Sequence, residues 1–99
     1  PYDCAILPLV NKNDNTNLEK AKKISDFLKK QNIDFIIDDT DENFSSKIKK
    51  MNLIGSPFQI IIGKQTDGDL FEFKEVGKEP QKLKLKDIIN IIKKQKAKN

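Results

Sequence analysis

Three apolar-rich segments, Tyr2 to Val10, Ile33 to Ile37 and Phe58 to Gly63, are separated by two stretches whose apolar residues recur at helical spacing. Runs such as Cys4-Ala5-Ile6-Leu7 and Ile60-Ile61-Ile62 are apolar without alternation, so they suit strands covered on both faces. The order strand, helix, strand, helix, strand then predicts three parallel strands joined by two right-handed crossovers. In the first intervening stretch, Leu18, Ala21, Ile24, Phe27 and Leu28 form one stripe, and Thr16 with Glu19 stands in capping-box relation at its start. Asn32 is placed to close that helix. The second stretch begins at about Phe44, has Phe44, Ile48 and Met51 on one face with Lys47 and Lys50 elsewhere, and ends at Gly55 and Pro57.

Beyond the third strand, a Thr66-Asp67-Gly68-Asp69 turn leads to a fourth strand over Leu70 to Val76. Gly77 to Pro80 turns the chain into a short fifth strand, Gln81 to Leu85. A last helix over Asp87 to Lys96 buries Leu85, Ile88, Ile89 and Ile92, and the lysine-rich tail from Lys93 to Asn99 is expected to fray.

A chain of 99 residues has room for one domain, residues 1–99, with a single modest core. It opens on Pro1 and enters strand residues at once, which suggests a piece of a longer polypeptide. No apolar run approaches the roughly 20 residues of a membrane helix, and no signal-peptide pattern is present, so a soluble, intracellular domain is expected. Cys4 is the single cysteine and histidine is absent. A disulfide framework, a thiolate zinc site and Ser-His or Cys-His catalysis are thereby excluded within the chain. The net charge of +4 hides a polarity: acids exceed lysines up to Ser45, and lysines exceed acids afterwards. Every basic residue is lysine, so phosphates would meet flexible point charges rather than planar forks.

The densest group of candidate functional side chains is Asp38-Asp39-Thr40-Asp41-Glu42, at the carboxyl end of the second strand, where open α/β sheets place ligands. As a calcium loop it fails, because Phe44 stands at the required glycine and Lys50 at the bidentate glutamate. A magnesium-dependent phosphotransfer or receiver-like site could use Asp38, Asp39 and Asp41, but no acid ends the third strand. Single-stranded RNA is the third reading. Guanine presents adjacent donors on its Watson–Crick edge that suit a carboxylate, and acceptors at O6 and N7 that suit Lys47 or Lys50. The plainest reading is a polar strand-to-helix turn with Asp41 or Asn43 as the N-cap. Phe44 fits a core position better than a base-stacking one, Gly63-Lys64 lacks the rest of a phosphate loop, and Cys4 fits packing better than reactivity.

From Asp38 onward, DDTDENFSSKIKKMNLIGSPFQIIIGK resembles the anticodon-binding domain of class II aminoacyl-tRNA synthetases, and most closely the prolyl member of that family. The matching features are the acidic loop Asp38, Asp39, Asp41 and Glu42, the helix-start Lys47, the turn Asn52-Leu53-Ile54-Gly55 with Pro57, and the strand Ile60-Ile61-Ile62-Gly63. Thr40 and Asn43 stand where arginines are common in the family, and Phe44-Ser45 replaces a usual Pro-Gly. The resemblance implies a three-layer α/β/α fold, its mixed five-stranded sheet built from three parallel strands with an antiparallel extension, and three helices. It implies an anticodon loop containing two guanines as partner, with Glu42 and Lys47 as the foremost contacts and Asp39, Asp41 and Lys50 beside them. It also implies a larger proline-tRNA ligase of the shorter bacterial form. That enzyme would be cytoplasmic and homodimeric, with this segment at its carboxyl-terminal end and ATP and magnesium used in a catalytic domain outside it. No catalytic, cofactor or metal residue is expected within the segment itself. A threonyl, glycyl or histidyl relative, or an accessory subunit, is the alternative within the same fold.

Overall fold

A computed structural model describes residues 2–63 and 68–98. The elements run β1 (Cys4–Pro8), α1 (Thr16–Lys30), β2 (Phe35–Ile37), α2 (Phe44–Ile54), β3 (Phe58–Ile62), β4 (Leu70–Glu75), β5 (Gln81–Lys84) and α3 (Leu85–Lys98). They form a five-stranded sheet in the order β2-β1-β3-β4-β5. β1 pairs in parallel with β2 and β3, while β3 with β4 and β4 with β5 are antiparallel. This is the expected mixed sheet.

Strand alternation divides the core between the two faces. Cys4, Ile6, Ile60, Ile62 and Phe73 point to one face and pack with Ile24 and Leu28 of α1 and Ile88, Ile89 and Ile92 of α3. Phe58 and Phe73 stack there across the β3–β4 pair, their ring centroids 5.4 Å apart. Ala5, Leu7 and Ile61 point to the other face, under Met51 of α2, with Phe44 and Ile48 half-buried beside them. Three layers result. Truncating a fully buried isoleucine such as Ile60 to alanine would cost about 2–5 kcal/mol, because the transfer energy is lost and a cavity remains.

Local chemistry moves several boundaries from their expected places. The capping box does not form: Thr16 is already the first helical residue, Asn15 precedes it without a side-chain cap, and Asp14 Oδ1 accepts from the Thr16 amide at 2.9 Å. At the other end of α1, Asn32 takes the left-handed conformation at φ 58°, and the Ile33 amide donates back to the Leu28 carbonyl at 3.1 Å. Ile33 is thereby drawn out of the second strand and packed in the core with Leu28. α3 starts at Leu85 and continues to Lys98 through the segment expected to fray. Lys96 ties it down by an ion pair to Asp3 at 3.1 Å and a hydrogen bond to the Asn32 carbonyl at 2.6 Å, while Lys93 donates to Gln31. Of the expected turn before β4, Gly68 and Asp69 are in a turn, whereas Thr66 and Asp67 lie outside the described residues, as does Lys64.

Candidate nucleic-acid interface

The acidic loop emerges where the end of β2 meets the start of α2, and its first residue is turned inward. Asp38 extends the β1–β2 pairing, donating its amide to the Ile6 carbonyl at 3.0 Å, and it is only 6% exposed. Its Oδ1 accepts from the Thr40 amide at 3.1 Å and the Thr40 hydroxyl at 2.6 Å. Its Oδ2 faces Lys50 Nζ at 3.3 Å and has no hydrogen-bond partner among the described residues. Burial alone would raise this carboxyl, but the Thr40 bonds and the Lys50 ammonium outweigh it and hold Asp38 below its ordinary value. It stays charged near neutral pH.

Lys50 also pairs with Glu42 at 3.2 Å, so one ammonium spans the buried and the exposed carboxylates. Glu42 first, then Asp38, raises the pKa of Lys50. Lys47 lies beneath the loop, 1% exposed, with Nζ donating to the Pro8 carbonyl at 3.2 Å and the Asp38 carbonyl at 3.0 Å. Those carbonyls stand at the last residue of β1 and one residue past β2, so Lys47 ties both strand ends to α2. Asn43 is the N-cap of α2, its side chain accepting from the Ser46 amide at 2.8 Å.

The candidate side chains therefore divide. Asp39, Asp41 and Glu42 are exposed on the loop, Lys50 is half-exposed and held between two acids, and Lys47 is enclosed with its ammonium already engaged. Among the described residues no three carboxylate, cysteine or histidine side chains are gathered to hold a metal. Asp38, which a phosphotransfer reading needs free, is occupied by Thr40 and Lys50. Cys4 is wholly buried and its thiol is pushed up to about 12, first by burial and then by Asp3, so it is not a nucleophile.

One feature escaped the reading of residues. Leu9, Asn11, Asn17, Lys20 and Gly63 line a cleft of mixed polarity beyond the carboxyl ends of β1 and β3. β1 has β2 on one side and β3 on the other, and such a crevice is where open sheets receive ligands. The signal available beforehand was the parallel strand pattern itself.

Residues 3–95 match the family model described as the anticodon binding domain. The chain belongs to that family. It is 56% identical over 99 residues to the proline-tRNA ligase of Pelagibacter ubique, a match that takes in 100% of this chain and 22% of that protein. It is 38% identical over 100 residues to the proline-tRNA ligase of Rickettsia prowazekii, covering 93% of this chain and 23% of the relative. The chain thus spans less than a quarter of the length of these relatives. Among solved structures, histidyl-tRNA synthetase from Nostoc sp. PCC 7120 superposes with TM-score 0.82 at 16% identity, covering 96% of this chain and 22% of that one. The RNA binding domain of threonyl-tRNA synthetase from Cryptosporidium parvum Iowa II gives TM-score 0.78 at 16% identity, over 92% and 22% of the two chains. At that identity the likeness establishes the anticodon-binding-domain fold and nothing finer.

Proposed function

We propose that this domain forms the carboxyl-terminal part of a proline-tRNA ligase and holds the anticodon loop of proline tRNA, reading its guanines with the carboxylates of the loop after β2. One observation carries the reading. Asp39, Asp41 and Glu42 are exposed on a loop that Asp38, Thr40, Lys47 and Lys50 brace from below. The 56% identity to a proline-tRNA ligase supplies the tRNA.

Glu42 is the foremost reader. Its two carboxylate oxygens can accept from the N1 and N2 donors of an unstacked guanine, a pairing that adenine cannot offer. Lys50, already beside Glu42, can turn its ammonium to guanine O6 or to a neighbouring phosphate without travelling far. Asp39 and Asp41 flank that position and accept weaker bonds or shape the loop. Lys47 serves as a positioning residue: its buried ammonium sets the height and angle of the loop, and it touches no base.

ATP and magnesium are assigned to a catalytic part outside this domain, where proline is activated and transferred. By the same reading the full enzyme is a cytoplasmic homodimer. The described residues include no helix long and apolar enough to cross a membrane. The test is aminoacylation by the full-length ligase of tRNA transcripts in which each anticodon guanine is replaced by adenine. At least one replacement should lower kcat/KM by about fivefold or more, corresponding to about 1–3 kcal/mol per lost base contact. Equal rates for all transcripts would refute the reading.

A further inference from the structure

The pole of the sheet opposite the acidic loop carries a group of exposed apolar side chains. Leu53, in the last turn of α2, is 90% exposed, and Ile54, Val76 and Tyr2 are 39%, 46% and 39% exposed. Isolated exposed apolar side chains are ordinary, but these come from separate segments that converge on one end of the sheet. β1 and β3 are parallel, so Tyr2 before β1 and the turn before β3 share that end, and Tyr2 lines one cleft with Gly55 and Pro57. Val76, just after β4, donates its amide to the Pro57 carbonyl at 3.0 Å.

The presentation of Leu53 is built into the backbone. Gly55 adopts φ 92° at the end of α2, and the amides of Gly55 and Ser56 both donate to the Met51 carbonyl, at 3.0 and 3.1 Å. Among the described residues, nothing beyond the two chain neighbours lies within 4 Å of where a Cβ on Gly55 would stand, so glycine is favoured there for its backbone conformation rather than for space. A hydrogen-bonded turn therefore holds out a leucine that none of the described residues covers. The end of α3 brings the exposed Lys94 and Lys98 to the same pole, since Lys96 is bonded to Asp3.

We infer that this pole docks onto the catalytic body of the ligase, on a surface apolar at its centre and of mixed charge at its rim. The inference rests on the reading that the domain works within a longer ligase. The match covers only 22% of the Pelagibacter ubique relative, which leaves most of such a chain to supply the occupant. Its direction also fits. With RNA held at the loop after β2, the opposite end of the sheet stays free for a permanent contact, and an interface between domains commonly buries several hundred Å².

Cysteine accessibility in the full-length ligase tests this without RNA, so it fails or succeeds separately from guanine reading. Leu53→Cys and Lys23→Cys variants are labelled with a maleimide and followed by peptide mass spectrometry; both positions are exposed in this domain, and Cys4 is too buried to compete. Position 53 should label at least about tenfold more slowly than position 23 in the native enzyme, and equally fast after denaturation. Equal native rates overturn the proposal. A photoreactive benzoylphenylalanine replacing Leu53 should cross-link to peptides outside this domain, and cross-links to a second copy of the domain would overturn it instead.

Discussion

The loops after β1 and β2 contain the same short device, and the sheet uses it for different ends. In the first, Asp14 Oδ1 accepts from the Thr16 amide and hydroxyl; in the second, Asp38 Oδ1 accepts from the Thr40 amide and hydroxyl. Each carboxyl is held below its ordinary value. For Asp14 the largest cause is the Thr16 hydroxyl, and for Asp38 the threonine bonds and Lys50 must first overcome burial. Asp14 is exposed and simply starts α1. Asp38 is enclosed, paired with Lys50, and carries on its own carbonyl the ammonium of Lys47. An Asp-x-Thr turn thus gives local shape at low cost, and becomes a fixed platform only when a buried cation and an ion pair are added to it.

That contrast predicts a graded response to substitution. Lys47→Met keeps most of the buried stem but removes the ammonium, leaving the Pro8 and Asp38 carbonyls without their donor. A loss of about 2–4 kcal/mol is expected in urea unfolding, with guanine discrimination weakened in parallel because the loop is no longer held. Asp38→Ala removes two hydrogen bonds and the inner partner of Lys50, for about 2 kcal/mol. Asp14→Ala should shift the unfolding midpoint clearly less, and equal losses would show that the added network contributes nothing.

Acidification gives a smaller difference. Because the folded pKa of Asp38 lies below the unfolded value of about 3.9, its contribution is present above that pH and is lost as pH falls through the folded value. Asp38→Asn should therefore destabilise the domain at pH 7 and converge toward the parent in strong acid. Asp14→Asn should act in the same direction, because the Thr16 bonds lower that carboxyl too, but by less, since Asp14 is exposed and its charge is screened by solvent. Unfolding midpoints between pH 2 and pH 7 check both, the window following from a carboxyl lowered from its ordinary range.

The layers were legible because continuous apolar runs and helical stripes are local signals. Ile60-Ile61-Ile62 and the stripe through Ile24 and Leu28 needed no tertiary information. Lys47, expected off the apolar face of α2, is instead buried with Met51: it stands three residues after Phe44 and four before Met51, so the spacing itself puts it on the face that packs against β1 and β3. Its charge argued the other way. Where the expectation missed, the deciding partner was a neighbouring turn or was distant in sequence. Asp14 rather than Thr16 organises the start of α1, and α3 holds to its end because Lys96 finds Asp3 and Asn32. The inward turn of Asp38 likewise depends on Lys50, a residue on the following helix.

Glu42 is where the braced loop meets its ligand, and exchanging its carboxylate for an amide of the same shape isolates the readout from the fold. In the full-length ligase, Glu42→Gln should leave the unfolding midpoint nearly unchanged, since Glu42 is an exposed partner of Lys50. The preference in kcat/KM for guanine over adenine in the anticodon should fall by about 1–3 kcal/mol, most of the discrimination at that base. A variant that retains the full guanine preference would contradict the assignment of the carboxylate loop as the reader.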